Sequence, residues 1–163
     1  FFVECVDPVS VDGQVISSTY IRKLIQSGDV GAAARVMLHP YRITGHVVHG
    51  MARGRGMGFP TANIQPDKAL LPAYGVYAVL VSMGDRQYRA VANIGNNPTF
   101  GDVGTSIEAY LFDFEGDLYD AELMVEFVDY IRGEVKFADK RYLVEQIELD
   151  CRKALEILGK KVS

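Results

Sequence analysis

Several features that assign proteins to common classes are scarce in this sequence. Its 163 residues include only two cysteines, Cys5 and Cys151, which lie far apart and outside any metal-ligand spacing. This usage favours reduced thiols in a cytoplasmic protein over a disulfide framework. No stretch approaches the length and apolarity of a membrane span or a signal peptide, so we expect no membrane partner.

Excess positive charge is also lacking. Lysine and arginine together number 17 against 21 acidic residues, which gives a formal net charge of -4. This balance argues against a protein that coats nucleic acid or anionic membrane, so any basic site must be local. The histidines His39, His46 and His49 have no clustered zinc spacing, and the GxGxxG and Walker signatures of nucleotide-binding loops are absent.

Glycine and arginine are concentrated in one segment, which runs from His49 to Asn63 and reads HGMARGRGMGFPTAN. Closely spaced glycines allow backbone N–H groups to approach a ligand, as in loops that cradle phosphate. A phosphate cradle is therefore one interpretation of the segment, and a plain surface loop is the other. In the first interpretation the candidate phosphate-binding residues are Gly54, Arg55, Gly56, Gly58 and Thr61.

The end of this segment indicates a metal site. Pro60 favours extended chain around it, so Thr61 and Asn63 leave the loop as alternate residues of a strand. Alternate strand residues share a face, which brings a hydroxyl and a carboxamide side by side. Two neutral oxygens beside a phosphate cradle suit a Mg²⁺ ion that takes its remaining ligands from water and a nucleotide. Thr61 and Asn63 are therefore candidate ligands of Mg²⁺.

The downstream sequence predicts a mainly β protein. Apolar and alternating runs predict six strands that are separated by glycine-rich turns and by no helix, which argues for a closed or nearly closed antiparallel barrel. Gly45, in the first strand, is expected to mark a bulge. The strands are predicted at residues 41–48, 61–64, 75–83, 87–94, 106–114 and 122–131.

The N-terminal part of the chain contains two short predicted helices. Ser17 or Ser18 can cap the first, which ends at Gly28, and the second covers about residues 30–38. Before them, residues 1–6 form a short apolar run that fits a buried strand. Two helices of this size bury little by themselves, so we expect them to pack on the barrel or on another domain.

A longer helix is predicted at the other end. It begins near Asp139 and ends at about residue 158, with Gly159 as its C-terminal signal. Its apolar residues recur at intervals of three and four and form one stripe, which is expected to cover the barrel. The stripe consists of Leu143, Ile147, Cys151, Leu155 and Leu158.

Short motifs in this order resemble a known family. The run GFPTAN, from Gly58 to Asn63, resembles the PTAN signature of riboflavin kinases. Upstream, ISSTYIR at residues 16–22 is similar to the motif that closes the adenylyltransferase module of bacterial bifunctional FAD synthetases. Together the motifs span nearly the whole chain, which resembles the C-terminal part of such an enzyme. The further segments in the family's order are NIGNNPTF at 93–100, SIE at 106–108, YIR at 130–132 and KF at 136–137.

The resemblance implies a fold and a division of the chain. It implies a riboflavin-kinase-like six-stranded barrel with a C-terminal helix in residues 40–163, preceded in residues 1–39 by a short helical remnant of the adenylyltransferase domain. The N-terminal strand-loop-helix and histidine motif of that domain are not in this sequence. We therefore expect no adenylyltransferase activity, and the resemblance implies the parent adenylyltransferase domain as a partner in cis.

The resemblance also implies a reaction in FAD biosynthesis. In it, the γ-phosphoryl of ATP passes to the ribityl 5'-hydroxyl of riboflavin and gives FMN and ADP, with Mg²⁺ as cofactor. Glu108 lies where the family carries its catalytic glutamate, and Arg132 and Phe137 lie where the family contacts the flavin ring. Residues 96–104 resemble the family's mobile flap, which orders on substrate binding.

Without the resemblance, other interpretations stay open. Glu108 alone is an acid in a strand, for which a solvated position is the simpler interpretation, and Phe137 fits a core residue equally well. The tyrosines within strands fit barrel packing. For the function, a flavin-binding barrel without catalysis is one alternative, which magnesium-dependent ATP turnover would distinguish from a kinase. A barrel that binds single-stranded nucleic acid is another, although the acidic balance opposes it.

Overall fold

The computed structural model describes residues 1–2, 7, 9–11, 13–49, 55–67, 69–96 and 105–161. The N-terminal elements are a small hairpin and two helices, and a barrel and a long helix follow. In chain order the elements are β1 Ser10–Val11, β2 Gln14–Val15, α1 Ser18–Gln26, α2 Val30–Met37, β3 Tyr41–Val48, a 3₁₀ turn Arg55–Met57, β4 Ala62–Pro66, β5 Gly75–Met83, β6 Arg86–Asn96, β7 Thr105–Leu111, β8 Glu122–Arg132 and α3 Lys140–Lys161.

Strands β3 to β8 close into one antiparallel barrel with the order β3-β4-β7-β6-β5-β8. The predicted six-stranded barrel is therefore confirmed. Closure gives each of the six strands a paired neighbour on both sides. Successive side chains of β5 point to opposite faces of the strand. Tyr77, Val79 and Val81 are buried inside the barrel, while Val76 and Ala78 belong to a second apolar cluster outside it.

The barrel interior is filled by apolar side chains of unequal size. Tyr77 and Phe127 are fully buried and meet edge to face with ring centroids 5.3 Å apart, while small residues such as Ala92 and Ala109 face the same core. The hydroxyl of Tyr77 donates to the carbonyl of Ala73 at 2.6 Å, which satisfies the polar end of a buried ring. Burial raises the pKa of Tyr77 above its usual value of 10.0.

Helix α3 covers the outer faces of β5, β6 and β8. Ala154 and Leu158 are buried there against Val76 and Val128. The predicted apolar stripe therefore packs on the barrel as expected. The helix continues to Lys161, and Gly159 lies within it. The prediction that Gly159 marks the end of the helix is therefore wrong. No helix in the described ranges combines the length and apolarity needed to cross a membrane.

The first N-terminal helix is capped as the sequence predicts, α2 is capped by Asp29, and α2 packs on the barrel. The Ser17 hydroxyl accepts from the backbone N–H of Tyr20 at 3.1 Å, and the Asp29 carboxylate accepts from that of Ala32 at 2.9 Å. Val30, the first residue of α2, has no exposed surface and belongs to the barrel core cluster. Residues upstream of position 40 therefore contribute to the stability of the barrel.

Two local predictions are wrong. Gly45 is paired in register with Pro66 on one side and Leu123 on the other, so it marks no bulge. The glycine is needed for close approach, since a Cβ there would overlap the carbonyl oxygen of the neighbouring strand's Gln65. At the N-terminus, Phe1 and Phe2 are fully exposed, so they are not part of a buried strand, and positions 3–6 lie outside the described residues.

Candidate active site

Two cavities lie on either side of Thr61. The larger, of about 400 Å³, is enclosed by the outer face of the barrel, the loop 133–139 after β8 and the first turns of α3. The smaller, of about 110 Å³, lies between the end of β3, the segment 60–63 and the loop that precedes β8. Thr61 borders both cavities, so ligands in the two spaces would meet at this residue.

Strand register brings distant residues into one row on the outer face of the barrel. Asn63 pairs with Glu108, Glu108 with Asn93, Asn93 with Val76, and Val76 with Arg132. Residues directly opposite each other in antiparallel strands point to the same face. The row therefore connects the smaller cavity, which Asn63 lines, to the larger cavity, which the other four line.

Thr61 and Asn63, the candidate magnesium ligands, both line the smaller cavity. Asn63 is only 6 % exposed, and Thr61 is partly buried just before β4. Asp117 lines the same cavity. In the part of the chain that the structure describes, no three His, Cys, Asp or Glu residues gather into a metal site. A hydroxyl and a carboxamide oxygen nevertheless fit Mg²⁺, which accepts few protein ligands when phosphate and water supply the rest.

Glu108, the candidate general base, lines the larger cavity. Its side chain is partly buried between two asparagines, Asn63 on β4 and Asn93 on β6. A second carboxylate, that of Glu134, lines the same cavity from the loop after β8. Gly95 makes room for it, because a Cβ at that glycine would lie 2.5 Å from Oε1 of Glu134. Glu108 and Glu134 are two of the acids that line this cavity, and they lie at different positions on the barrel surface.

Arg132 and Phe137, the candidate flavin contacts, lie together in the wall of the larger cavity. The guanidinium of Arg132 is held by Asp150 of α3: its Nε lies 2.9 Å and 3.0 Å from the two carboxylate oxygens, and its Nη2 lies 2.6 Å from Oδ2. Its Nη1 donates to the carbonyl of Gly133 at 2.8 Å. Phe137 is partly buried, with one side toward the cavity.

Asp150 is a cavity residue that sequence reasoning missed. Its side chain is 4 % exposed and also accepts from Nε2 of Gln146 at 2.9 Å. The sequence could have indicated this residue, since Asp150 lies three residues after Ile147, on the apolar stripe of the last helix. A carboxylate on a buried helix face requires a partner. Next to Asp150, burial of the Cys151 thiol, together with the negative charges of Asp150 and Glu148, raises the pKa of this thiol to about 11.

Aromatic residues also line the site. Phe59 meets Tyr110 edge to face with centroids 5.5 Å apart, and both line the larger cavity. The prediction that the strand tyrosines pack the barrel is confirmed for Tyr77, whereas Tyr110 points outward into the cavity wall. Beside the smaller cavity, the ring of His49 stacks on Tyr119 with centroids 4.1 Å apart.

The glycine-rich segment is described in part. Gly54, the side chain of Arg55 and residues 97–104 of the expected flap lie outside the described residues. Gly56 and Gly58 have no atom within 4 Å of the position that a Cβ would take, and Gly58 has a φ of +85°. The space above these glycines is therefore open to a ligand, as a phosphate cradle requires.

The fold is thus a closed six-stranded barrel with two cavities that share Thr61 in their walls. Residues 37–158 match the family model described as flavokinase, riboflavin kinase. The chain belongs to the riboflavin kinase family.

Individual relatives agree with this assignment. The chain is 40 % identical over 151 residues to a bifunctional riboflavin kinase/FMN adenylyltransferase of Pseudomonas fluorescens, covering 92 % of this chain and 49 % of the relative. A solved riboflavin kinase of Trypanosoma brucei is similar with a TM-score of 0.56 and 29 % identity, over 75 % of this chain and 79 % of the other.

A second solved structure, from Streptococcus pneumoniae and described as a macrolide-efflux protein, is similar with a TM-score of 0.85 and 41 % identity. The similarity covers 90 % of this chain and 49 % of that one. This chain thus spans about half the length of the curated relatives it matches.

Proposed function

We propose that this chain is a riboflavin kinase, which transfers the γ-phosphoryl of ATP to the 5'-hydroxyl of the ribityl chain of riboflavin and forms FMN and ADP. The observation that carries the proposal is the junction at Thr61, where the two cavities meet and where Asn63 and Glu108 are paired across neighbouring strands. Phosphoryl transfer depends mainly on positioning and on charge stabilisation, and two adjoining sites provide the positioning.

The smaller cavity is the proposed site of the nucleotide phosphates. Gly56 and Gly58 line neither cavity, but their open backbone shortly precedes Thr61 in the chain and would donate N–H groups to phosphate oxygens, and the Arg55 guanidinium would add positive charge. The hydroxyl of Thr61 and the carboxamide oxygen of Asn63 would hold Mg²⁺. The bound ion would neutralise charge that develops on the transferring phosphoryl group.

The larger cavity is the proposed site of riboflavin. Its volume of about 400 Å³ and its wall of Phe59, Tyr110 and Phe137 suit a flat aromatic ligand. The ribityl chain would extend along the row of strand-paired side chains toward Thr61. There the Glu108 carboxylate would accept the proton of the 5'-hydroxyl as its oxygen bonds to phosphorus and the bond to ADP breaks.

The division of the chain is part of the same proposal. Residues 1–39 would belong to an adenylyltransferase domain, and residues 40–163 would form the kinase. The relatives described as bifunctional support this, since the chain spans about half of their length. The parent adenylyltransferase domain would be a partner in cis. A cytoplasmic location suits the half-buried thiol of Cys151, which is free. The proposal includes no nucleic acid or membrane partner.

The test is to incubate the purified chain with riboflavin, ATP and Mg²⁺ and to separate the products by chromatography. FMN and ADP should appear together, and EDTA should abolish both. Tight riboflavin binding without FMN would favour a non-catalytic flavin-binding barrel and would overturn the proposal.

A further inference from the structure

The ion pair between Arg132 and Asp150 joins the strand before the loop 133–139 to the helix after it, and this loop borders the larger cavity. Arg132 is the last residue of β8 and Asp150 lies in α3, so the contact spans the connection that carries Phe137. The carboxylate accepts from Nε and Nη2 of the arginine, while Nη1 of the same arginine donates to the carbonyl of Gly133 at the start of the loop. One side-chain pair therefore fixes the strand, the loop and the helix together.

Both members of the pair are largely withdrawn from water. The side chains of Arg132 and Asp150 are 20 % and 4 % exposed, and Gln146 supplies a further donor to the carboxylate. A buried charge that loses its partner is strongly disfavoured, so the guanidinium has little freedom to leave Asp150. Nε and one N–H on each of Nη1 and Nη2 are directed at protein acceptors, so three of its five donors are engaged. The flat face of the guanidinium would then be the part that stacks on an aromatic ring in the cavity, because this contact needs no N–H donor.

We propose that Asp150 is a positioning residue for the flavin ring. It fixes the plane of the Arg132 guanidinium in the cavity wall and, through the same contact, holds the loop that carries Phe137. This inference rests on the proposed function and deepens it. Asp150 would act on riboflavin affinity through Arg132, with no part in the transfer of the phosphoryl group.

The chain offers a matched control for this pair. Glu126 is also a buried carboxylate, with 7 % of its side chain exposed, and it accepts from Nε of Arg42 at 2.5 Å and from Nε2 of Gln87 at 2.8 Å. It lines neither cavity. Asp150→Asn and Glu126→Gln therefore remove the same kind of charge from the same kind of environment, and only the first variant alters the wall of the larger cavity.

The experiment measures riboflavin affinity without ATP, by quenching of flavin fluorescence, and then the KM of each substrate and kcat. In Asp150→Asn we expect the Kd and KM of riboflavin to rise by about tenfold or more, with kcat and the KM of ATP within about threefold of the wild type. Glu126→Gln should leave all four constants within about twofold, even where it lowers the melting temperature. Equal losses in the two variants, or equal rises in the KM of both substrates, would overturn the inference.

A second variant keeps the test decisive if Asp150→Asn does not fold. Arg132→Lys retains the positive charge but loses the planar guanidinium that would stack on the flavin ring. Riboflavin affinity should therefore fall in this variant too. Wild-type affinity in Arg132→Lys would overturn the inference. If both variants fold, their effects on riboflavin affinity should not add, because the residues act as one unit. The binding measurement needs no turnover, so a failure of the proposed kinase activity and a failure of this inference are separate results.

Discussion

Glu108 and Glu134 both line the larger cavity, and replacing each with glutamine identifies which carboxylate takes the proton. Glu108 is paired with Asn63, a residue of the smaller cavity, whereas Glu134 lies over Gly95 near the end of β6. The first carboxylate is therefore adjacent to the junction of the two cavities. We expect Glu108→Gln to impair the transfer step and Glu134→Gln to leave it largely intact.

The size of the effect follows from general-base catalysis. Loss of a positioned base costs about 10²–10⁴ in rate. At about 1.36 kcal/mol for each tenfold change, this is about 2.7–5.4 kcal/mol of transition-state stabilisation. Glutamine preserves the size of the side chain in a partly buried position, so the cavity should keep its shape. Binding of riboflavin and ATP should therefore stay within about threefold of the wild type.

The assay is kcat at saturating riboflavin and ATP, with the affinity of each substrate measured separately. Glu134→Gln is the matched control, since it removes a carboxylate from the same cavity. A kcat of Glu108→Gln within about tenfold of the wild type would refute the assignment. The same holds if Glu134→Gln loses more activity than Glu108→Gln, because the base would then lie in the loop after β8.

Four further predictions concern the metal, the barrel and the helix. Asn63→Ala removes an oxygen from the smaller cavity and should raise the Mg²⁺ concentration that gives half-maximal activity, measured by titration. Gly45→Ala places a Cβ against the backbone carbonyl of Gln65 and should cost about 1–3 kcal/mol or more in urea unfolding. Gly159→Ala, with open space around it, should stabilise by roughly 0.5–1 kcal/mol. The pKa of the Cys151 thiol is raised from 9.0 to about 11 by folding, so this thiol ionises at a lower pH in the unfolded chain than in the folded one. The free energy of unfolding should therefore fall as pH rises from 9.0 to about 11. The fall should be smaller in Cys151→Ala, which has no thiol to ionise.

Much of the barrel could be predicted because its strands alternate regularly. The predicted bounds 41–48 and 75–83 agree with β3 and β5, most of whose inward residues are β-branched or aromatic. Strand ends were less predictable. The strand expected to reach residue 114 ends at Leu111, and Asp113 then takes a left-handed φ of 56° in a turn. Turn geometry of this kind depends on local contacts that periodicity does not report.

The site was predictable only where its residues form short motifs. Thr61 and Asn63 are close in sequence, and the glycines before them indicate a ligand loop. The pairing of Asn63 with Glu108 depends on strand register across the barrel, which the sequence alone does not specify. The contact between Arg132 and Asp150 similarly depends on how α3 docks. Sequence motifs thus identified candidate residues, and the closed barrel explains how their side chains come together.

The most direct measurement of the central claim follows the phosphoryl group itself. The chain is incubated with riboflavin, Mg²⁺ and ATP labelled at the γ-phosphorus, and the label is traced by chromatography. The account predicts that labelled FMN forms with one ADP for each FMN, and that EDTA stops both. Label found only in inorganic phosphate, or riboflavin that is bound but recovered unchanged, would contradict it.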